Sequence, residues 1–365
     1  MVIPHDSQAV PARVPVDQPA AATEFSRYPV EFTATSGEYF RIWIVNLALT
    51  IITLGIYSAW AKVRKRRYLY GHTRIAGEGF EYRAQPLPIL KGRLIALALL
   101  LIVSATFRFV PVFKTFPLLQ NLALLVGFVF VGPWIIVRSL RFNAFNTAYR
   151  NVRMKFDATY ADCFRVVGVY GWLLLVPILY PYLKRRLVEF AVTRHFYGTT
   201  RFALDRTTFW EPFIDAYAKA ILVGILGGLL ALFAMFLNAG AGQRGSGLPL
   251  AGILLFYAAF LLALGYLRAR TVNIVWNSIS IGTIRFQSVL KASDLIAIYF
   301  SNLAAIVLTL GLAIPWAVIR THRYRASKTT VVAAGSFDSF VQGEEQQVGA
   351  TGEEVGEMFD LDIAF

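Results

Sequence analysis

Thr53-Leu54-Gly55-Ile56-Tyr57-Ser58-Ala59-Trp60-Ala61-Lys62-Val63-Arg64 is the stretch on which the reading of this chain turns. A second edition stands at Thr309-Leu310-Gly311-Leu312-Ala313-Ile314-Pro315-Trp316-Ala317-Val318-Ile319-Arg320. The match extends outward at the same offset of 256 residues, to Asn46-Leu47 and Asn302-Leu303 upstream and to Arg67-Tyr68 and Arg323-Tyr324 downstream. Each copy runs from a polar Asn through an apolar stretch and a Gly into an aromatic-then-Arg edge. That order describes a segment that enters a membrane and returns to its interface. Gly55 and Gly311 mark the turn, where a missing Cβ permits positive φ.

Composition agrees. Of 365 residues 56% are hydrophobic and only 16% charged, against about a quarter charged in a soluble domain. Segments 94–113, 118–137, 220–237 and 248–267 are uncharged or nearly so and match the length of a bilayer span. Segments 42–61, 166–183 and 295–319 are apolar but broken by Asn, Gly or Pro, and each runs into a basic cluster. If all seven cross, Lys and Arg divide almost evenly between the two sides. If only the first four cross, Arg108, Lys114 and Arg244 alone lie on the far side and 33 of 36 basic residues share the other. The positive-inside rule favours four spans and three re-entrant segments, with both termini cytoplasmic.

The flanks repeat as well. Alternating stretches around Phe32, Phe156 and Phe286 precede the three odd segments, and stretches 73–84, 197–204 and 329–340 follow them. Period-two alternation rich in Thr, Phe and Tyr predicts strands. Aligned on Pro181, the middle segment is a diverged third copy, with Tyr182 for Trp60, Arg186 for Arg64 and Phe190 for Tyr68. The expected fold is an α-helical polytopic membrane protein with small cytoplasmic β elements. It divides into a disordered tail (1–27, without the apolar core of a signal peptide), repeats at 28–141 and 142–270, a partial repeat at 271–340, and an acidic tail at 341–365.

Residues 53–64, then Arg67-Tyr68-Leu69-Tyr70-Gly71-His72-Thr73, resemble the YjgN family of bacterial inner-membrane proteins, as do Phe80-Glu81-Tyr82 and Ile89-Leu90-Lys91-Gly92-Arg93. The resemblance spans roughly residues 28–340 and is sharpest in the first copy. It implies a multi-pass bacterial inner-membrane protein, and it supplies no catalytic or ligand residues.

The residues themselves suggest two roles. Asn46, Gly55, Asn302 and Gly311 are candidates for lining a path, because re-entrant backbone can face a conduit. Trp60, Arg64, Arg67, Tyr68, Arg186, Trp316, Arg320, Arg323 and Tyr324 are candidates for holding lipid phosphates at headgroup depth. The leading expectation is a pore or passive permease for a small solute or ion. The alternative is a lipid-binding or scaffold protein acting through its basic face and acidic tail. Anionic membrane lipids are the expected partners; a homo-oligomer and a protein partner for the tail are left open by the sequence. Net charge is +14, and eight of the 22 acidic residues lie after position 337. The apolar–acidic alternation at 357–365 suits docking on a partner or on the protein's own basic underside. No nucleic-acid motif accompanies the positive charge. His5, His72, His195 and His322 lack metal-ligand spacing, and Cys163 stands alone, so neither metal nor other cofactor is expected. There is no Walker A loop, nucleophile elbow or HExxH, and no enzymatic activity is expected.

Overall fold

The computed structural model describes residues 25–171, 173, 176–240 and 248–360. The chain runs β1 (Phe25–Phe32), α1 (Ser36–Ile52), α2 (Ser58–Gly71), β2 (Thr73–Ile75), β3 (Glu78–Tyr82), α3 (Pro86–Phe109), α4 (Pro111–Thr115) and α5 (Pro117–Phe145). It continues with β4 (Thr147–Tyr149), β5 (Val152–Phe156), α6 (Tyr160–Tyr170), α7 (Tyr180–Thr193), β6 (His195–Tyr197), β7 (Thr200–Leu204), α8 (Arg206–Gly240) and α9 (Leu248–Asn277). The last elements are β8 (Ile279–Ile281), β9 (Ile284–Ser288), α10 (Ala292–Leu308), α11 (Ile314–Ser327), β10 (Thr329–Ala334) and α12 (Phe337–Asp360).

The strands overturn the expectation of small separate β elements. All ten close into one antiparallel barrel, in chain order around the ring, with β1 paired to β10. The fold is therefore helical membrane segments standing on a closed β-barrel. Segments 73–84 and 197–204 are each a hairpin (β2–β3 and β6–β7), and β4 and β8, three residues each, were not foreseen at all. Residues 337–340, expected to extend a strand, open α12 instead. The physical reason is closure. A lone two-stranded hairpin is marginal in water, so strands this short are stable only because each edge is paired by a neighbour, in the last case one more than 290 residues away. The tail expected at 1–27 lies mostly outside the described residues, although its last three belong to β1.

Connectivity fixes the layout. Every helical pair joins two neighbouring strands at one end of the barrel, and every two-residue turn lies at the other. The pairs touch in a ring: α11 on α1, α2 on α3, α5 on α6, α7 on α8, α9 on α10. Among the described residues α3, α5, α8 and α9 are long and apolar enough to cross a membrane, and none of the spanning window of α3 is buried. Inside the barrel, alternate residues form the core. Ile75, Tyr149, Val152, Tyr197, Ile281, Ile284, Val331 and Ala333 pack against Phe337 and Val341 of α12. Thus α12 covers the mouth at the turn end. Burial pushes the Tyr149 phenol up to about 12, and its hydroxyl donates to the Ile75 carbonyl (2.6 Å).

The repeated Thr-Leu-Gly is the tip of a helical hairpin. The Thr53 hydroxyl donates to the Leu49 carbonyl (2.7 Å) and accepts from the Tyr57 N–H (2.9 Å), while the Gly55 N–H donates to Thr50 O (2.8 Å). The α10–α11 tip repeats this through Thr309 to Ala305 O (2.7 Å), Ala313 N–H to Thr309 (2.9 Å) and Gly311 N–H to Ile306 O (2.8 Å). Gly55 and Gly311 sit at φ +93° and +95°, where a Cβ would be strained. Irregular backbone in hydrocarbon must satisfy its own polar groups, and this turn does so locally. Its outer surface can therefore be apolar: Leu54 is 95% and Leu310 94% exposed.

Candidate functional site

The second helix of each pair enters its strand in one register. Arg64, Arg138, Arg186, Arg270 and Arg320 each stand nine residues before the strand that follows, at β2, β4, β6, β8 and β10. Four residues earlier each helix carries an aromatic: Trp60, Trp134, Tyr182, Tyr266 and Trp316. A spacing of four puts the two side chains on one helix face. The Arg320 guanidinium lies over the Trp316 ring at 5.0 Å and donates to Ser301 Oγ (2.6 Å) and Asn302 Oδ1 (3.3 Å). Arg186 lies over Tyr170 and Trp210 and pairs with Glu189 (3.3 Å). Arg64, Arg138 and Arg270 are exposed. The result is five arginines in one register above the barrel, each with an aromatic about 6 Å deeper along its helix.

Three residues on from the ring, the same helices brace the fold. Arg67 donates to Ala84 O (3.0 Å), Arg141 to Ala158 O (2.9 Å), Arg323 to Ala34 O (2.8 Å), and Asn273 to Leu290 O (2.9 Å). Each carbonyl belongs to the linker that leads from the adjacent strand into the next helical pair. The alanines are fully buried or nearly so, and buried carbonyls need donors. Tyr68 and Tyr324 do similar work. Their hydroxyls accept from Thr35 N–H (3.1 Å) and Lys291 N–H (3.0 Å) and donate to Glu38 and Asp294 (3.0 Å each). Of the nine headgroup candidates, Trp60, Arg64, Arg186, Trp316 and Arg320 thus lie in the ring. Arg67, Tyr68, Arg323 and Tyr324 are braces whose polar groups bond the protein's own linkers.

The path-lining candidates lie in two neighbouring hairpins, which touch through α1 and α11. Asn302 is buried between α10 and α11, where its amide donates to Ala317 O (3.3 Å) and Thr321 Oγ1 (3.1 Å). Asn46 is equally buried, and its Oδ1 meets no donor among the described residues. Gly55 and Gly311 lie at the two apolar tips.

Trp134, Arg138, Tyr266 and Arg270 escaped the sequence reading. They sit inside long apolar helices, where an interfacial aromatic and a flanking Arg are ordinary. The signal was their distance to the next strand, which is invisible until three-residue strands are recognised. The family described as "bacterial protein of unknown function (DUF898)" matches residues 27–358. The chain belongs to this family. It is 25% identical to the inner membrane protein YjgN of Salmonella typhimurium (strain LT2), over 84% of this chain and 89% of that protein. It is 32% identical to the inner membrane protein YjgN of Escherichia coli O157:H7, over 40% of this chain and 34% of that protein. With the protein of that name from Escherichia coli (strain K12) it shares 34% identity over 35% and 31% of the two chains. No solved structure matches. As a member of this family with four membrane-capable helices, the chain is an integral inner-membrane protein.

Proposed function

We propose that this protein is a lipid-binding scaffold that holds the phosphates of anionic lipids in the leaflet nearest its barrel. The common register of the five aromatic–Arg pairs, nine residues before each strand, carries this reading. Gly55 and Gly311 each precede their ring arginine by nine residues, about 13 Å of helix, close to the ~15 Å half-thickness of a bilayer core. The first residues of α5 and α9 precede Arg138 and Arg270 by 21 and 22 residues, about 32 Å, close to the full core. With the guanidiniums at phosphate level, the two Thr-Leu-Gly hairpins end near the midplane and the long helices reach the opposite interface. Trp and Tyr then fall one turn inside the headgroups, where such rings are favoured. The basic collar supports a cytoplasmic barrel. A pore, the first expectation from sequence, needs a polar lining. Asn302 is held within its own hairpin, and the barrel interior is filled by aromatic and aliphatic side chains.

The test is lipid retention. Wild type and an Arg64→Gln/Arg138→Gln/Arg320→Gln variant are purified in mild detergent and their bound lipid is quantified. Wild type is expected to keep phosphatidylglycerol over phosphatidylethanolamine, and the variant to lose this preference by about fivefold for each arginine removed. Equal retention by both proteins sinks the reading. A conduit predicts instead solute flux from proteoliposomes that disappears in Asn302→Leu.

A further inference from the structure

The third helical pair breaks the pattern of the other four. One residue before the ring arginine, α2, α5, α9 and α11 carry Val63, Val137, Ala269 and Ile319, all buried. The same position on α7 is Arg185. At the brace position, where the other helices hold Arg or Asn, α7 has Glu189, itself 6% exposed. Across the α7–α8 contact stands Trp210, with the guanidiniums of Arg185, Arg186 and Arg206 at 4.6, 4.7 and 5.3 Å from its ring. Glu189 takes Arg206 (2.6 Å) and Arg186 (3.3 Å). Three guanidiniums thus share one carboxylate, leaving two positive charges unbalanced. Arg185 Nε, Arg186 Nε and Trp210 Nε1 are buried donors with no acceptor among the described residues. Arg206, with 66% of its side chain exposed, opens the cluster to solvent where α8 leaves β7, beside the barrel.

We infer that Arg185, Arg186, Arg206 and Trp210 form a site for one phosphate dianion. Clustered guanidiniums without matching carboxylates are destabilising unless an anion joins them, and their planar forks fit phosphate oxygens in pairs. The indole N–H supplies a further donor. Two unbalanced charges match a phosphomonoester better than a singly charged phosphodiester. The source is either phosphatidic acid in the leaflet or free phosphate. The lipid source rests on the headgroup reading above.

The experiment uses the full chain in detergent, titrated with short-chain phosphatidic acid, short-chain phosphatidylglycerol or inorganic phosphate, with native mass spectrometry and melting temperature as readouts. Wild type is expected to bind one phosphatidic acid more tightly than phosphatidylglycerol. Arg185→Leu, which restores the apolar residue type of the other four helices, is expected to weaken that one copy by about tenfold while melting at the same or a higher temperature. Trp210→Phe keeps the ring, removes the N–H and should show a smaller loss. Protection by inorganic phosphate equal to that by phosphatidic acid would support the site and assign it to a solute. Equal binding of both lipids, unchanged in Arg185→Leu, overturns the proposal, as does a large loss of stability in Arg185→Leu with binding intact. If Arg185→Leu loses the copy while the Arg64/Arg138/Arg320 variant loses nothing, this site stands and the ring reading fails.

Discussion

Thr309 shows how one hydroxyl lets a chain turn round in lipid. It accepts the N–H that opens the second helix and donates to a carbonyl near the end of the first. Thr309→Val keeps the shape but leaves the Ala313 N–H without an acceptor. The expected cost is about 1–3 kcal/mol, read as a lower midpoint in denaturation from mixed micelles, with Thr309→Ser restoring most of it. The ring and brace arginines separate at the same scale. Arg67→Gln should lower the melting temperature without changing bound lipid, and Arg64→Gln should do the reverse. His195 makes a pH prediction. Burial lowers its pKa, partly opposed by the bond from its ring to the Ala191 carbonyl. The folded value therefore lies below the unfolded one of about 6.5. The stability is fully present above that pH and is lost as pH falls, because the unfolded chain takes up the proton first. His195→Gln should show a shallower fall in melting temperature between about pH 6.5 and 5 than wild type; parallel profiles would remove His195 from the account.

Among elements, α12 carries the clearest consequence. Its Phe337 and Val341 are part of the barrel core. Glu344, 4% exposed, accepts the N–H groups of Thr199 (2.7 Å) and Thr200 (3.3 Å) and the Thr199 hydroxyl (3.1 Å). Arg150 pairs with Asp338 at the start of the same helix. Glu344→Ala leaves these donors without their acceptor, an expected loss of about 1.5–3 kcal/mol. Hydrogen exchange should report it as faster exchange at Thr199 and Thr200 and throughout α12. Unchanged exchange would mean that α12 rests on the barrel mouth through its apolar face alone. The alternation of apolar and acidic residues read in the sequence lies at 357–365, of which 361–365 are outside the described residues, and the contact with the barrel is made by Phe337, Val341 and Glu344 instead. That contact was not legible, because the receiving surface is assembled from β2, β4, β5, β6, β8, β9 and β10, elements far apart along the chain.

At the scale of the whole molecule, the barrel binds every membrane segment to one side. Each helical pair begins and ends in neighbouring strands, so a short pair must return to the face it left. Labelling single cysteines on a Cys163→Ser background in intact cells checks this. Leu54→Cys and Leu310→Cys should resist aqueous maleimide from either side, Thr115→Cys should label from outside, and Ser327→Cys only after permeabilisation. Outside labelling of Leu54→Cys would turn the hairpins into spans. The sequence by itself determined that the chain lives in a membrane and that four helices are long enough to cross, and it set three broken apolar segments beside basic edges with the expectation that they turn back. Those properties follow from local hydropathy, charge and the repeated Thr-Leu-Gly. Only the tertiary structure decided that the strands form a single closed barrel, since closure depends on pairing β1 with β10 across almost the whole chain. Closure also puts Arg138 and Arg270 in the same register to the barrel as Arg64, Arg186 and Arg320. It is the arrival of each helix at the same rim that makes five separate arginines a ring.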